Sequence, residues 1–310
     1  MTVLITGGAG FIGSHLADRL IARGDSVSVV DNMATGHNIN INSRVTKPVY
    51  MVSIAEYTML RRIFEEVRPD VVIHAAASYK DPNDWTEDVM TNCLGGANVA
   101  RLSKEFGVRR VIYFQTSCAY GHNPPETPIT TECPINPDTS SYALTKATAE
   151  YFLKISGVDY ISFRLANCYG ERTCTGPIPN FYKKLVAGEV CTVMNTRRDY
   201  IYIDDLCAVV MRAIDGEGTK GVYHISTGRD YAIEEIYVAM SRLMGIDQEP
   251  IKKEKGPDDT YTLLIDPSKT QRDFPGWIAK TPLEQGLKNT IAYYKTNPPA
   301  TVFTHLRMPK

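Results

Sequence analysis

Three glycines near the N-terminus stand at intervals of three residues in the stretch ITGGAGFIGS. They are Gly7, Gly10 and Gly13; an apolar run, VLIT, precedes them and a helical pattern follows. Because glycine weakens strands and helices alike, three of them at one strand-to-helix junction need a reason. Without side chains, this turn lets a pyrophosphate reach backbone N–H groups at the positive end of a helix. The sequence therefore predicts a dinucleotide-binding turn.

Strand-like and helical segments alternate through the first half of the 310-residue chain. Continuous runs such as VVIHAAA and VIYFQTS are typical of strands buried on both faces. The alternation predicts an α/β fold with a doubly wound parallel sheet. After about residue 165 the pattern loosens into Gly- and Pro-rich loop.

The second strand, SVSVVD, ends at Asp31, eighteen residues after Gly13. A carboxylate at this place accepts hydrogen bonds from the ribose hydroxyls of an adenosine and repels a 2′-phosphate. The alternative is an ordinary surface aspartate after a tight turn. The register of strand, glycines and acid favours a dinucleotide site, and it favours NAD over NADP.

The stretch SSYALTK places Tyr142 and Lys146 four residues apart at the start of a predicted helix, so they share a face. A tyrosine with its usual pKa of about 10 is a poor base at neutral pH. A nearby ammonium and the positive nicotinamide ring both favour the phenolate, which can take a proton from a sugar hydroxyl. The fourth strand ends in FQTSCAYG, where Thr116, Ser117 and Cys118 are candidates to share that proton.

Net charge and cysteine usage exclude several functions. The net charge is −1, which predicts no bulk attraction to nucleic acid or to an anionic membrane. No apolar run approaches the roughly 20 residues of a membrane span, and no signal peptide is recognised. The seven cysteines are scattered and form no CxxC pair, so we expect reduced thiols in a cytoplasmic protein and no metal site.

Taken in order, these motifs resemble those of the extended short-chain dehydrogenase/reductases. The chain is most similar to the NAD-dependent nucleotide-sugar epimerases and dehydratases, among them UDP-glucose 4-epimerase-like enzymes and the epimerases of bacterial O-antigen clusters. The resemblance covers nearly the whole chain, including HAAA at 74–77, TSCAYG, RLANCYG and RRDYIYIDDL. It implies a Rossmann-type NAD-binding domain, residues 1–165 and about 198–227, interleaved with a smaller C-terminal substrate-binding domain, residues 166–197 and 228–310. It also implies tightly held NAD, a nucleotide-diphosphate-sugar substrate and a homodimer formed through two helices, about 90–106 and 141–155.

The resemblance also implies individual roles by position. The implied catalytic residues are Thr116, Tyr142 and Lys146. The implied cofactor contacts are Gly7, Gly10, Phe11, Ile12, Gly13, Asp31, Asn32, Ala75, Ala76, Asn92, Tyr142 and Lys146. The implied substrate contacts are Thr116, Cys118, Asn167, Arg198 and Lys255, of which Arg198 suits a diphosphate by its forked donor geometry.

The implied reaction is transient oxidation of the sugar at C4, followed by reduction on the other face, with a UDP-hexose preferred. The acidic pair of the 4,6-dehydratases is replaced by Ser117 and Cys118, which also supply no decarboxylase acid. Cys118 stands where 3,5-epimerases carry an acid/base, although Gly176 occupies the place of its partner. A 3,5-epimerase, an unusual dehydratase or a 4-ketoreductase using Cys118 remain alternatives. A non-catalytic NAD sensor is disfavoured because Thr116, Tyr142 and Lys146 are all present.

Overall fold

Six parallel strands form the larger sheet of the protein, whose computed structural model describes residues 1–45, 49–255 and 260–304. In spatial order they are β2 (Ser26–Val30), β1 (Thr2–Thr6), β3 (Val71–His74), β4 (Arg110–Thr116), β5 (Tyr160–Leu165) and β9 (Gly221–Ile225). The chain runs outward from β1 to β2 and then returns to the other side of β1 as β3. The doubly wound parallel sheet is thus confirmed, and ligands of such sheets bind where the order reverses.

Helices cover both faces of this sheet. On one face lie α1 (Phe11–Arg23) and α7 (Ile203–Ile214); on the other lie α2 (Tyr57–Val67), α4 (Gly96–Glu105) and α5 (Ser141–Ser156). A short helix, α3 (Trp85–Asp88), and a π-helical turn (Val89–Gly95) lead directly into α4. Alternate strand residues enter the two cores, as Ile5 packs on the α1 face and Leu4 on the α5 face. Burial on both faces explains the unbroken apolar runs.

A second, smaller sheet is built from the later part of the chain. Its strands are β10 (Asp230–Ala232), β8 (Arg197–Tyr202), β12 (Thr262–Leu263) and β6 (Asn167–Tyr169), while β7 (Thr192–Met194) pairs separately with β11 (Ile251–Lys253). The helices α6 (Pro177–Ala187), α8 (Ile233–Met244), α9 (Ser268–Asp273) and α10 (Leu283–Thr296) belong to this later part as well. None of the helices in the described ranges is both long and apolar enough to cross a bilayer.

The chain passes between the two sheets more than once. The chain leaves the larger sheet at the end of β5 and returns to it for α7 and β9. Strand β8, however, was predicted within the Rossmann segment and instead hydrogen-bonds in the smaller sheet, because β10, β12 and β6 all pair with it. The division between domains stays a prediction. In the structure, the chain returns to the larger sheet after β8, not before it.

Candidate active site

The glycine turn joins β1 to α1 at the carboxyl edge of the larger sheet. Gly7 has a φ of +72°, and a Cβ there would lie 2.5 Å from the backbone nitrogen of Ala76. A Cβ on Gly13 would lie 2.3 Å from the carbonyl oxygen of Gly7. The first turn of α1 carries no acidic side chain, so a phosphate there meets N–H groups without repulsion. The turn thus has the shape and charge of a pyrophosphate cradle.

Asp31 follows the end of β2 and is held by backbone amides. Its Oδ2 accepts from the N–H of Ala9 at 2.9 Å, and its Oδ1 accepts from that of Met33 at 2.8 Å. Burial raises the pKa of Asp31, and these two hydrogen bonds oppose the rise. The carboxylate is therefore fixed in orientation beside the glycine turn, as a ribose contact requires.

The proposed catalytic side chains come from the start of α5 and the end of β4. Ser140 caps α5 by accepting from the N–H of Ala143 at 3.2 Å, so Tyr142 lies in the first helical turn and Lys146 one turn later. Thr116 ends β4, and its Oγ1 accepts from the N–H of Cys118 at 3.1 Å. This bond begins a 3₁₀ turn that turns the chain away from the sheet.

Burial acts against the charged forms of both Tyr142 and Lys146. It raises the pKa of Tyr142, an effect strengthened by Cys118 and Asp88. It lowers the pKa of Lys146 to about 7, while the carboxylate of Glu150 opposes the fall. Because burial alone favours a neutral pair, a phenolate–ammonium pair needs further support from charge. The positive charge of a nicotinamide ring has the right sign for stabilising the phenolate.

One cavity of about 290 Å³ runs from the glycine turn past Tyr142 to the smaller sheet. Most of the predicted site residues line it. They are Gly7, Gly10, Phe11, Ile12, Gly13, Asp31, Asn32, Ala75, Ala76, Thr116, Cys118, Tyr142, Lys146, Asn167 and Arg198. Cofactor-type and substrate-type positions therefore share one continuous space.

Two predicted contacts do not reach this cavity. Asn92 is buried in the π-helical turn. Its Oδ1 accepts from the N–H of Ser78, and its Nδ2 donates to the carbonyl of Ser78 and to the hydroxyl of Thr145. Because that amide is turned toward the loop after β3, Asn92 supports Ser78 in the wall instead of facing the cavity. Lys255 is exposed and does not line the cavity, since it follows β11, which pairs with β7 outside the smaller sheet.

Arg198 forms part of the far wall of the cavity. It lies in β8 between Tyr231 of β10 and Leu263 of β12, and only 9% of it is exposed. Its guanidinium donates to the carbonyl of Arg197 at 2.6 Å and to that of Tyr261 at 3.3 Å. It is therefore a fixed cation at the cavity wall rather than a solvated strand end.

Among the further side chains in the cavity wall, three come from the segment after β3 and belong to no motif. Tyr79, Lys80 and Glu87 follow β3. Tyr79 donates to Thr35 at 3.2 Å, and the ring of Phe303 meets it edge-on at 6.5 Å. The available sequence signal was their position after the carboxyl end of a central strand. Lys80 and Glu87 add a cation and an anion to the wall, beyond the predicted catalytic set.

One cavity holds the glycine turn, the acid after the second strand and the tyrosine–lysine pair. This combination defines a dinucleotide-dependent enzyme of the short-chain dehydrogenase/reductase class. The chain belongs to the NAD dependent epimerase/dehydratase family, whose model matches residues 3–226. NAD is its cofactor. The structure fits that cofactor through the side-chain-free turn at Gly7, Gly10 and Gly13 and the fixed carboxylate of Asp31.

Known proteins similar to this chain agree with that assignment. The chain is 42% identical to Bordetella bronchiseptica WbmH, solved with NAD+, with a TM-score of 0.89 over 95% of this chain and 98% of that one. It is 37% identical to WbmG of the same organism, solved with NAD and UDP, with a TM-score of 0.91 over 100% and 99% of the two chains.

Curated relatives carry more than one activity. A putative UDP-glucose 4-epimerase of Methanocaldococcus jannaschii is 28% identical over 95% of this chain and 99% of its own. A UDP-glucuronic acid decarboxylase of Xenopus tropicalis is 28% identical over 94% of this chain and 72% of its own. The family therefore supports an enzyme acting on UDP-sugars, and the reaction within that class is a matter of proposal.

Proposed function

We propose that this protein is an NAD-dependent nucleotide-sugar 4-epimerase that acts on a UDP-hexose. The observation that carries the proposal is the single cavity that unites Thr116, Tyr142 and Lys146 with the glycine turn at one end and Arg198 at the other. Such an enzyme needs the sugar between the base and the cofactor, with the diphosphate held by a cation. The names of relatives at high coverage support a UDP-sugar.

In the proposed reaction, Tyr142 takes the proton from the C4 hydroxyl, and Thr116 shares that proton through its hydroxyl. The Lys146 ammonium supports the phenolate by charge. Bound NAD supplies the redox chemistry, since it accepts a hydride from C4 and returns it. Arg198 and Asn167 hold the diphosphate end, so that the 4-keto sugar turns while the nucleotide stays in place. Tyr142 then returns its proton to the C4 oxygen as C4 is reduced on its opposite face, which gives the C4 epimer.

A second candidate is a UDP-sugar enzyme that also moves protons on carbon. Cys118 lines the cavity beside Thr116, and Lys80 and Glu87 add titratable groups to the same wall. A 3,5-epimerase, a dehydratase or a 4-ketoreductase of this fold would use such groups, and a decarboxylase occurs among the relatives. A non-catalytic NAD sensor is the weakest candidate, because Thr116, Tyr142 and Lys146 all line the cavity.

The test is a panel of UDP-, GDP-, CDP- and dTDP-sugars, including UDP-glucuronic acid, incubated with enzyme and NAD+ in deuterated water. We expect one UDP-hexose to give an isomer of unchanged mass without deuterium on carbon, because a 4-epimerase returns the same hydride. Proton NMR would place the change at C4. Deuterium on carbon, loss of water or loss of carbon dioxide would move the assignment to the second candidate. In that case a Cys118→Ser variant would show whether this thiol moves the proton, because the deuterium exchange would be lost with it.

We also propose that the protein is a homodimer. We propose a cytoplasmic location as well, in keeping with the reduced thiols that we expect. The two predicted helices correspond to 85–105, which is helical throughout, and to α5. Together they expose a group of large apolar side chains. These are Trp85, Val89, Met90, Leu94, Leu144, Tyr151 and Ile155. A second copy of the same face is the occupant that an isologous dimer provides.

Replacing Ile155 with glutamate should separate this dimer. Ile155 is 75% exposed, so a single subunit tolerates a carboxylate there. In a dimer built on this face, each subunit would bury one carboxylate without a partner of opposite charge. We expect the dimer dissociation constant to rise about a hundredfold or more, measured by light scattering and sedimentation. Ile278→Glu, at another exposed isoleucine outside these helices, is the matched control and should leave the dimer intact. An Ile155→Glu protein that remains dimeric would contradict this interface.

A further inference from the structure

A buried polar network lies between α5, the helix that carries Tyr142 and Lys146, and the larger sheet. Glu150, one turn after Lys146 on α5, is only 6% exposed. Its Oε1 accepts from Arg164 Nη2 at 2.5 Å, and its Oε2 accepts from Ser162 Oγ at 2.5 Å and from Arg164 Nε at 3.3 Å. Arg164 and Ser162 both lie on β5. The carboxylate is therefore fixed between α5 and the larger sheet.

The network continues to the turn that follows Thr116. Arg164 Nη1 donates to the hydroxyl of Tyr120 at 2.7 Å, and Tyr120 lies 2.6 Å from His224 Nε2. His224 Nδ1 lies 3.0 Å from the carbonyl oxygen of Asp266, which can only accept. Nδ1 therefore carries the proton, and Nε2 accepts from Tyr120. Because Tyr120 ends the 3₁₀ turn that begins after Thr116, the network joins both sources of catalytic side chains.

The charges around Lys146 single out Glu150. The titratable groups around the lysine are His74 of β3, Tyr113 of β4, and Tyr142 and Glu150 of its own helix. Asp88 of α3, which packs against α5, lies on the Tyr142 side. Burial beside Lys146 lowers the pKa of His74 to about 3, and burial raises the pKa of Tyr113 and of Tyr142. These three are therefore neutral near pH 7. Two carboxylates remain: Asp88 acts on Tyr142, whereas Glu150, ion-paired with the sheet, acts on Lys146 itself.

We propose that Glu150 is a positioning residue, which keeps the Lys146 ammonium charged inside the cavity. A lysine that is 3% exposed pays a large desolvation penalty for its charge, and a carboxylate one helical turn away offsets it. Arg164 fixes that carboxylate and prevents it from pairing directly with the lysine. Lys146 thus keeps its ammonium available to support Tyr142. The proposal rests on the proposed function, since it gives Lys146 that role.

The test measures the protonation of Lys146 without substrate. The full-length protein, freed of NAD and carrying Tyr142→Phe to remove coupling to the phenol, is labelled with trace acetic anhydride over a pH series. Mass spectrometry gives the extent of labelling at Lys146, which follows its free amine. Adding Glu150→Gln keeps the shape and removes the charge. We expect labelling at about pH 6 to rise roughly fivefold, because the loss of a nearby negative charge lowers the pKa of a lysine by about one or more.

A second variant covers the case in which Glu150→Gln fails to fold with Arg164 unpaired. Replacing Glu150 and Arg164 together with methionine leaves no unpaired charge, a change that buried ion pairs often tolerate. It should also raise the labelling, though less, because the repulsion from Arg164 is lost too. Ser162→Ala removes one hydrogen bond without changing charge and serves as the control.

The outcomes separate cleanly. A rise in both charge variants but not in Ser162→Ala supports the proposal. Labelling that stays at the parent level in the charge variants, or that rises as much in Ser162→Ala, overturns it. The result does not depend on finding a substrate. An enzyme that failed the whole sugar-nucleotide panel would refute the proposed function and leave the measurement on Glu150 standing.

Discussion

Replacing Tyr142 with phenylalanine is expected to lower kcat by about a thousandfold, because it removes the hydroxyl that we propose takes the C4 proton. Binding should change little, since the ring remains in the first turn of α5 and only the hydroxyl is lost. The measurement is turnover of the reactive UDP-hexose under saturation, together with KM and the NAD content of the purified protein. A KM within a few-fold of the parent value would locate the loss in the chemical step.

Tyr293→Phe is the matched control for that loss. Tyr293 lies on α10, outside the cavity lining, so the same change there should leave kcat at the parent value. A Tyr142→Phe enzyme with kcat within tenfold of the parent would show that another group takes the proton. Cys118 and Glu87, both in the cavity wall, would then be the next candidates.

Replacing Gly13 with alanine is expected to abolish tight NAD binding and to destabilise the fold. Alanine is the better helix former by about 1 kcal/mol, so helix propensity alone predicts a gain. The added Cβ, however, would lie 2.3 Å from the carbonyl oxygen of Gly7 and 2.9 Å from Cα of Gly8, and backbone atoms cannot move aside easily. We expect the unfolding free energy to fall by about 2 kcal/mol. NAD affinity should fall by at least about a hundredfold, because the turn that presents the N–H groups must shift.

Thermal melting and equilibrium NAD titration measure these two effects separately. Gly24→Ala is the matched control at the other end of the same helix. A Cβ on Gly24 meets nothing within 4 Å, but its φ of +95° costs alanine about 1 kcal/mol or more. That variant should lower the melting temperature and keep NAD affinity. If Gly13→Ala binds NAD as Gly24→Ala does, the close packing of the turn is not what holds the cofactor site together.

Local patterns predicted the elements of the cofactor end well, for a physical reason. A strand, a glycine turn and a helix are contiguous in sequence, so Gly7 and Gly13 occupy the predicted geometry without help from distant residues. The pair Tyr142 and Lys146 shares one helix, so four-residue spacing sufficed to place both in one cavity. Where function depends on neighbours in sequence, pattern and structure agree.

The rest depends on contacts between distant segments. Arg198 became a wall residue because β10 and β12, from later in the chain, flank its strand. Asn92 turned away from the cavity because the π-helical turn aims its amide at Ser78, a detail that periodicity does not encode. Lys80 and Glu87 belong to no motif, and only the fold of the chain after β3 brings them to the wall.

The late return of the chain to the larger sheet has a consequence for biosynthesis. Strand β9 completes that sheet beside β5 only after the chain has passed through β6, α6, β7 and β8. A ribosome must therefore release residues as far as Ile225 before the cofactor sheet can close, so its folding cannot finish as an independent N-terminal event. A nascent chain arrested between β5 and β9 would leave the edge of β5 unpaired and open to chaperones and proteases.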